Sequence, residues 1–357
     1  MKKYGVLIAD DSALMRRTLK RIIEKDRWLF VAGTARDGED AVNKARELRP
    51  SVVAMDINMP VLDGISALQM IVEERICPVV MVSSLTQEGA ITTFECLELG
   101  AFDFVAKPGG TVSINMDQVA RELVTKLKAA AKSGQFSRLE RISSRMKKPV
   151  HRAARARKAP SVRKASGIDH YAVAIGISTG GPKVLFEMLA GLDPSANAAY
   201  FLVQHMPPGF TASFAERLDN NSPIPFVEAQ PGMKVEPGQG YLAKGGYHLK
   251  LYRKPNKEIV IRCSSRPDHQ FIPSVNIMME SVLQVYQANT IGVLMTGMGD
   301  DGADSMVKIR QAGGTTIAES EESAIVFGMP QQAIERGGAE IVAPLWEIAE
   351  RIDDGLN

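Results

Sequence analysis

Between residues 4 and 131 the chain alternates strand and helix signals five times. That alternation constrains the fold more than any other feature. Tyr4–Ala9, Leu29–Thr34, Val52–Met55, Pro78–Ser83 and Phe102–Ala106 are apolar runs of strand length, separated by segments of helical period that end with Val119–Ala131. Such a pattern predicts a parallel sheet with helices on both faces, because strands buried on two sides must be apolar almost throughout. The pattern resumes at Tyr171–Ile177 and continues through Tyr200–Gln204, Ile291–Met295 and Thr315–Ala318. Residues 223–262, rich in Gly and Pro, read as a β-rich insertion. The expected fold class is α/β in two domains: a doubly wound five-stranded parallel sheet first, then a mostly parallel sheet with that insertion.

Charge marks the boundary. Residues 138–164 hold eleven Lys or Arg and one acid, Glu140, so this window carries +10 of a formal net charge of +2, and the remainder carries 2 − 10 = −8. The window is poor in large apolar residues and contains Pro149 and Pro160, as a solvated linker would. The expected division is 1–131, a basic linker over 132–168, and 169–357. No apolar run approaches the ~20 residues that span a bilayer. Cys77, Cys96 and Cys263 are scattered, without metal-ligand spacing, which suits a reducing, cytoplasmic setting.

Ligands of open α/β sheets bind outside the carboxyl ends of the strands. In the first domain the polar residues at those ends are Asp10 and Asp11, Asp56, Ser83 and Lys107. Three converging carboxylates require a cation, and hard oxygen ligands suit Mg²⁺. Asp56 is placed to attack a phosphoryl group, Lys107 to neutralise charge, and Ser83 to donate a hydrogen bond to a phosphoryl oxygen.

In the second domain Gly176-Ile177-Ser178-Thr179-Gly180-Gly181-Pro182 follows a strand and opens a helix, a turn that exposes a serine hydroxyl at the sheet edge. His205 follows the strand Tyr200–Gln204. Gly297-Met298-Gly299-Asp300-Asp301-Gly302 follows another strand, and a further strand ends at Glu319. The glycine spacing passes the dinucleotide-binding test, yet Asp300 and Asp301 would repel a pyrophosphate. Ser178, His205 and Asp301 at one sheet edge meet the requirement for nucleophile, general base and orienting carboxylate. An α/β-hydrolase order, with Asp219 and then His248 or His269, fits less well, because neither histidine follows a clear sheet strand. A DNA-binding output is opposed by the net negative charge outside the linker and by the lack of a helix-turn-helix pattern.

The acid pair, Asp56, Ser83 and the Lys107–Pro108 pair make residues ~4–125 resemble the receiver domain of response regulators. The segments GISTGGP, QHMPPGFT, AKGGYHL, TGMGDDG and VFGMP resemble the chemotaxis protein-glutamate methylesterase family, which joins that catalytic domain to an N-terminal receiver. The resemblance implies phosphorylation of Asp56 by a histidine kinase, with Mg²⁺ held by Asp11, Asp56 and the Asn58 carbonyl. It also implies a switch aromatic at Phe104 and a cis Lys107–Pro108 bond. It implies hydrolysis of glutamate methyl esters on methyl-accepting chemotaxis receptors with release of methanol, and deamidation of receptor glutamines, with no cofactor for the hydrolysis. The Met298 amide, with Thr179 nearby, would stabilise the oxyanion. In the family an unphosphorylated receiver blocks the active site. No nucleic acid, no membrane insertion and a monomer are expected. Where the family usually has Arg and Asp, this chain has Ile272 and Asn276.

Overall fold

The computed structural model describes residues 3–83, 87–107, 116–133 and 168–356. The basic window and the Lys107–Pro108 bond lie outside the described residues. The chain divides into two compact units, Met1–Leu139 and Glu140–Asn357. Among the described residues no helix is long and apolar enough to cross a membrane.

The first unit is a five-stranded sheet built from β1 (Tyr4–Ala9), β2 (Leu29–Ala35), β3 (Val52–Asp56), β4 (Val79–Ser83) and β5 (Asp103–Ala106). The strand order is β2-β1-β3-β4-β5 and every pair is parallel. Helices α1 (Ala13–Glu24), α2 (Gly38–Leu48), α3 (Gly64–Glu73), α4 (Gln87–Glu98) and α5 (Met116–Lys132) connect or follow the strands. β3 and β4 are buried along their whole length, as strands covered on both faces must be. Three helices begin on acids or hydroxyls that satisfy free amides: Ser12 caps α1, Asp37 caps α2 and Asp63 caps α3. Because β1 pairs with both β2 and β3, the chain reverses direction across the sheet there. The resulting crevice lies at the ends of β1 and β3, where Asp10 and Asp56 sit.

The second unit repeats the logic on a larger scale. Its sheet contains β6 (Tyr171–Ile177), β7 (Ala198–Gln204), β8 (Phe226–Glu228), β9 (Gly240–Leu242), β12 (Thr290–Leu294), β13 (Thr315–Glu319) and β14 (Ile341–Ala343). The order is β14-β13-β12-β6-β7-β9-β8, and all six pairings are parallel. The β-rich reading of residues 223–262 needs one correction. β8 and β9 are not inserted apart from the sheet but extend its edge. Only β10 (His248–Arg253) and β11 (Ile259–Ser264) form a separate antiparallel pair. Local patterning could not make that distinction, because three-residue strands carry no usable period.

Helices α6 (Gly181–Leu189), α7 (Thr211–Asn221), α8 (Val275–Tyr286), α9 (Ala303–Gln311), α10 (Met329–Glu335) and α11 (Leu345–Gly355) complete the unit. α8 packs across β6 and β10. The sequence of β6 permits this, because its period of two places Ala172, Ala174 and Gly176 on the α8 side. A Cβ on Gly176 would lie 2.3 Å from Val275 Cγ1 in the first turn of α8. β6 therefore runs hard against the helix start that holds the site described below. On the same face Phe201 of β7 stacks on Tyr241 of β9 with ring centroids 5.7 Å apart.

Gly176→Val should destabilise the second unit by about 1–3 kcal/mol, the usual cost of overpacking. Urea unfolding checks this, and Ala172→Ser, a smaller insertion on the same face, should cost less.

Candidate active site

The second sheet also reverses at one strand, since β6 pairs with β7 on one side and β12 on the other. Ser178 directly follows β6, His205 follows β7, and Asp301 lies in the loop between β12 and α9. The fold thus delivers the three residues to one crevice. The Ser178 hydroxyl lies 3.1 Å from His205 Nδ1, and His205 Nε2 lies 2.8 Å from Asp301 Oδ2.

Asp301 is 3% exposed, so its charge must be met by protein groups. Its Oδ2 accepts the Val275 amide at 2.7 Å as well as the His205 Nε2–H, and its Oδ1 accepts the Ser274 hydroxyl at 2.8 Å and the Asn276 amide at 3.0 Å. Three of these donors belong to the N-terminus of α8, where free amides and the helix dipole favour an anion. Burial works to raise this carboxyl. The hydrogen bond and charge of His205, with the amides of Asn276 and Val275, outweigh it and hold the group at about 2, below its ordinary 3.8. A carboxylate that accepts from four donors keeps no site for a proton. It therefore requires the proton of neutral His205 on Nε2, which leaves Nδ1 free to accept from Ser178. The Phe271 ring stacks on the imidazole, with centroids 4.2 Å apart and planes at 7°, and fixes its plane.

The serine loop is equally constrained. The Ser178 amide donates to the Thr296 carbonyl at 3.0 Å, and the Ser178 carbonyl accepts the Gly181 amide and the Gln204 side-chain amide. Gln204 also donates to the His205 carbonyl at 3.1 Å, which ties the ends of β6 and β7 together. Gly180 has φ +75°, and a Cβ there would meet Ile325 at 2.8 Å, so a side chain is excluded on two counts. Glu319 is fully buried. It accepts the Thr296 amide at 2.8 Å and the Ser323 hydroxyl at 2.8 Å, so this strand-end acid braces the loop that holds Ser178. Of the two oxyanion candidates, Thr179 is buried and Met298 half-buried in the facing loop. Neither amide has an acceptor among the described residues.

The glycine loop is committed to this constellation, with Asp301 on His205 and Asp300 paired to Arg336 at 2.5 Å. Asp219 accepts the Phe226 amide at 2.9 Å, which fixes the turn from α7 into β8.

In the first unit Asp10 and Asp56 are buried and Asp11 is exposed, and oxygens of the three lie within 4.8 Å of one another. The Lys107 ammonium is 2.7 Å from Asp56 Oδ2 and 3.3 Å from Asp10 Oδ2. Burial raises the Asp56 carboxyl above its usual range, and Asp10 adds to this against the pull of Lys107. Lys107 thus pairs with two of the three clustered carboxylates, a donor set that fits a small hard dication. Asn58 is exposed beside Asp56 in the loop after β3. Ser83 is buried and its Oγ accepts from Thr93 at 2.9 Å. Phe104 is buried edge-on to Phe94, with Lys126 Nζ 5.2 Å from its ring centre.

A model of the CheB methylesterase family matches residues 173–352, and one of the response regulator receiver domain matches residues 6–115. Over 356 residues the chain is 60% identical to protein-glutamate methylesterase/protein-glutamine glutaminase 3 of Syntrophomonas wolfei, with 99% of each chain covered. The chain belongs to the CheB methylesterase family. It is also 51% identical over 352 residues to the protein-glutamate methylesterase/protein-glutamine glutaminase of Caldanaerobacter subterraneus, covering 98% of this chain and 95% of the relative. The crystal structure of the Thermotoga maritima CheB methylesterase catalytic domain superposes with a TM-score of 0.51 at 38% identity, covering 52% of this chain and 99% of that one.

Within this CheB family member the departure at Asn276 has a physical account. Its side-chain oxygen accepts the Ser305 amide at 3.1 Å and the Ser305 hydroxyl at 2.9 Å. Gly302, which precedes α9, has no side chain to cap that helix, so Asn276 supplies the acceptor from α8. An amide oxygen accepts there as a carboxylate would. Nothing in the structure explains Ile272 in place of arginine. Sequence reasoning passed over Ser274, Phe271 and Gln204. The first was legible as a helix cap, since Ser274 accepts from Ile277. The other two act across the fold and leave no local signal.

A carboxyl held below its unfolded value contributes stability that is full above about 4 and is lost as pH falls through about 2. For Asp301 the contribution is on the order of 2 kcal/mol. Asp301→Asn should therefore unfold at lower urea than the parent at neutral pH, and the gap should close as the pH is lowered through that window.

Proposed function

We propose that this chain is a phosphorylation-controlled protein-glutamate methylesterase and glutamine deamidase in which Ser178 is the nucleophile. The observation that carries the reading is the continuous hydrogen-bonded line Ser178–His205–Asp301, set by the tautomer that Asp301 imposes. Family membership and relatives that bear both activities in their names support it.

The Ser178 oxygen attacks the ester carbonyl carbon while His205 Nδ1 takes the hydroxyl proton. The imidazolium that forms is stabilised by the Asp301 carboxylate, which stays ionised throughout. The carbonyl π pair moves onto oxygen, and the Met298 and Thr179 amides are the donors assigned to that oxyanion. Collapse breaks the bond between the acyl carbon and the methoxy oxygen, His205 returns its proton to that oxygen, and methanol leaves as the acyl-serine forms. Water then repeats the sequence on the acyl-serine, and glutamate is released with the serine restored. With a glutamine side chain the same path expels ammonia. The substrate is assigned as cytoplasmic glutamate methyl esters and glutamines of chemotaxis receptors.

The receiver unit, assigned to 1–131 and joined through 132–168 to a catalytic unit over 169–357, sets the rate. Asp56 attacks the phosphoryl group of a histidine-kinase donor, and Lys107 balances charge on the aspartyl phosphate. Asp11, Asp56 and the Asn58 carbonyl would hold Mg²⁺, which supplies charge neutralisation to the phosphoryl oxygens. Ser83 donates to one of those oxygens, and Phe104 responds to it.

Ser178→Ala should reduce methanol release from methylated receptor by at least ~10³-fold without changing the melting temperature by more than a few degrees. Retention of activity would remove the nucleophile assignment. Asp56→Asn should keep the basal rate and lose stimulation by a small-molecule phosphodonor, measured in the same assay.

A further inference from the structure

His248 opens β10 and is fully buried, though it touches neither Ser178 nor His205 in the hydrogen-bond network. Its Nε2 lies 3.0 Å from the Pro267 carbonyl, an acceptor, so the ring carries its proton there. Its Nδ1 then faces the Ser274 amide at 3.1 Å and accepts from it. Ser274 in turn donates its hydroxyl to Asp301 Oδ1 at 2.8 Å, and Asp301 Oδ2 accepts from His205. A second imidazole is thus joined to the serine nucleophile through Ser274, Asp301 and His205. The chemistry described above gives it no role.

We propose that His248 is a positioning residue for the hydrolysis, and that it acts as an uncharged acceptor that holds Ser274 on Asp301. The proposal rests on the assignment of Ser178, His205 and Asp301 as the reacting groups.

The consequence follows from donor counting. A neutral His248 with its proton on Nε2 satisfies both neighbours. A protonated His248 presents an N–H to the Ser274 N–H, and two donors cannot share that 3.1 Å gap. Ser274 must then move, and its hydroxyl leaves Asp301. The carboxylate loses one of its four donors and the constraint that aims Oδ2 at His205.

The groups that face His248 are few. His269 lies across from it in the loop after β11, with ring centroids 6.2 Å apart. Lys250 is on its own strand, and Asp301 lies beyond Ser274. β11 pairs the neutral Ser264 with it, and α8 meets β10 with Ser281, whose hydroxyl accepts the Leu251 amide. Burial keeps His248 neutral to lower pH than the ordinary 6.5, with His269 and Lys250 acting in the same direction against Pro267 and Asp301.

Both imidazoles must therefore be neutral for turnover. The acid limb of kcat/KM should fall with the loss of two protonation-sensitive groups instead of one.

The test uses the full-length chain with a phosphodonor and methylated receptor. His248→Asn places an amide oxygen near the position of Nδ1, and it accepts from Ser274 without titrating. His248→Leu keeps bulk and removes the acceptor. His248→Leu should lower kcat by about tenfold or more, with KM within about twofold. His248→Asn should recover most of that loss, and its acid limb should flatten from two protons to one. An unchanged kcat in His248→Leu would overturn the proposal. So would a loss that asparagine fails to rescue, because that marks a packing role. If the leucine variant melts too early to assay, the limb of His248→Asn decides alone, and a slope equal to the parent's overturns the idea. Failure of the underlying assignment reads out separately, as hydrolysis that survives Ser178→Ala in the parallel assay.

Discussion

The Asp301 carboxylate, seated on the first turn of α8, is the interaction on which the catalytic unit depends. A buried charge without donors would cost several kcal/mol. Here two backbone amides, a hydroxyl and an imidazole occupy its lone pairs. That saturation holds the group ionised, sets the tautomer of His205 and turns Nδ1 towards Ser178. It also explains why small residues line one side of β6. The start of α8 must come close enough for its amides to reach a residue from the β12–α9 loop, and Gly176 leaves the room.

The loops that carry the three residues are braced from behind by polar groups outside the Ser178–His205–Asp301 line. Gln204 joins the ends of β6 and β7, Glu319 holds the Thr296 amide, and Asn276 caps α9 from the neighbouring helix. Each is a buried or half-buried polar side chain; Glu319 and Asn276 accept from their neighbours, and Gln204 donates to both strand ends while its Oε1 has no partner among the described residues. A satisfied polar network specifies one arrangement, whereas apolar packing alone tolerates several. The receiver unit uses the same fold rule with the opposite electrostatics. There the carboxylates crowd together with one lysine, and Asp56 is held above its usual range instead of below it. One crevice stabilises its acid for orientation. The other leaves its acids under-compensated, which is the condition for taking up a cation and a phosphoryl group.

The sequence by itself determined the sheet class and the strand ends. Continuous apolar runs declare strands buried on two faces, and polar residues just past such runs must lie at a carboxyl edge. The places of Asp10, Asp56, Lys107, Ser178 and His205 were legible for that reason, and so was the pairing of Asp301 with His205, because two carboxylates spoil a phosphate loop. The tertiary structure alone decided which edge strand lies beside which, that β8 and β9 extend the main sheet, and that Phe271, Ser274 and His248 gather around Asp301 and His205. These are contacts between residues tens of positions apart, across strands too short to show a period. Hydrogen bonds of that kind follow from how elements pack, and no local pattern of residues encodes them.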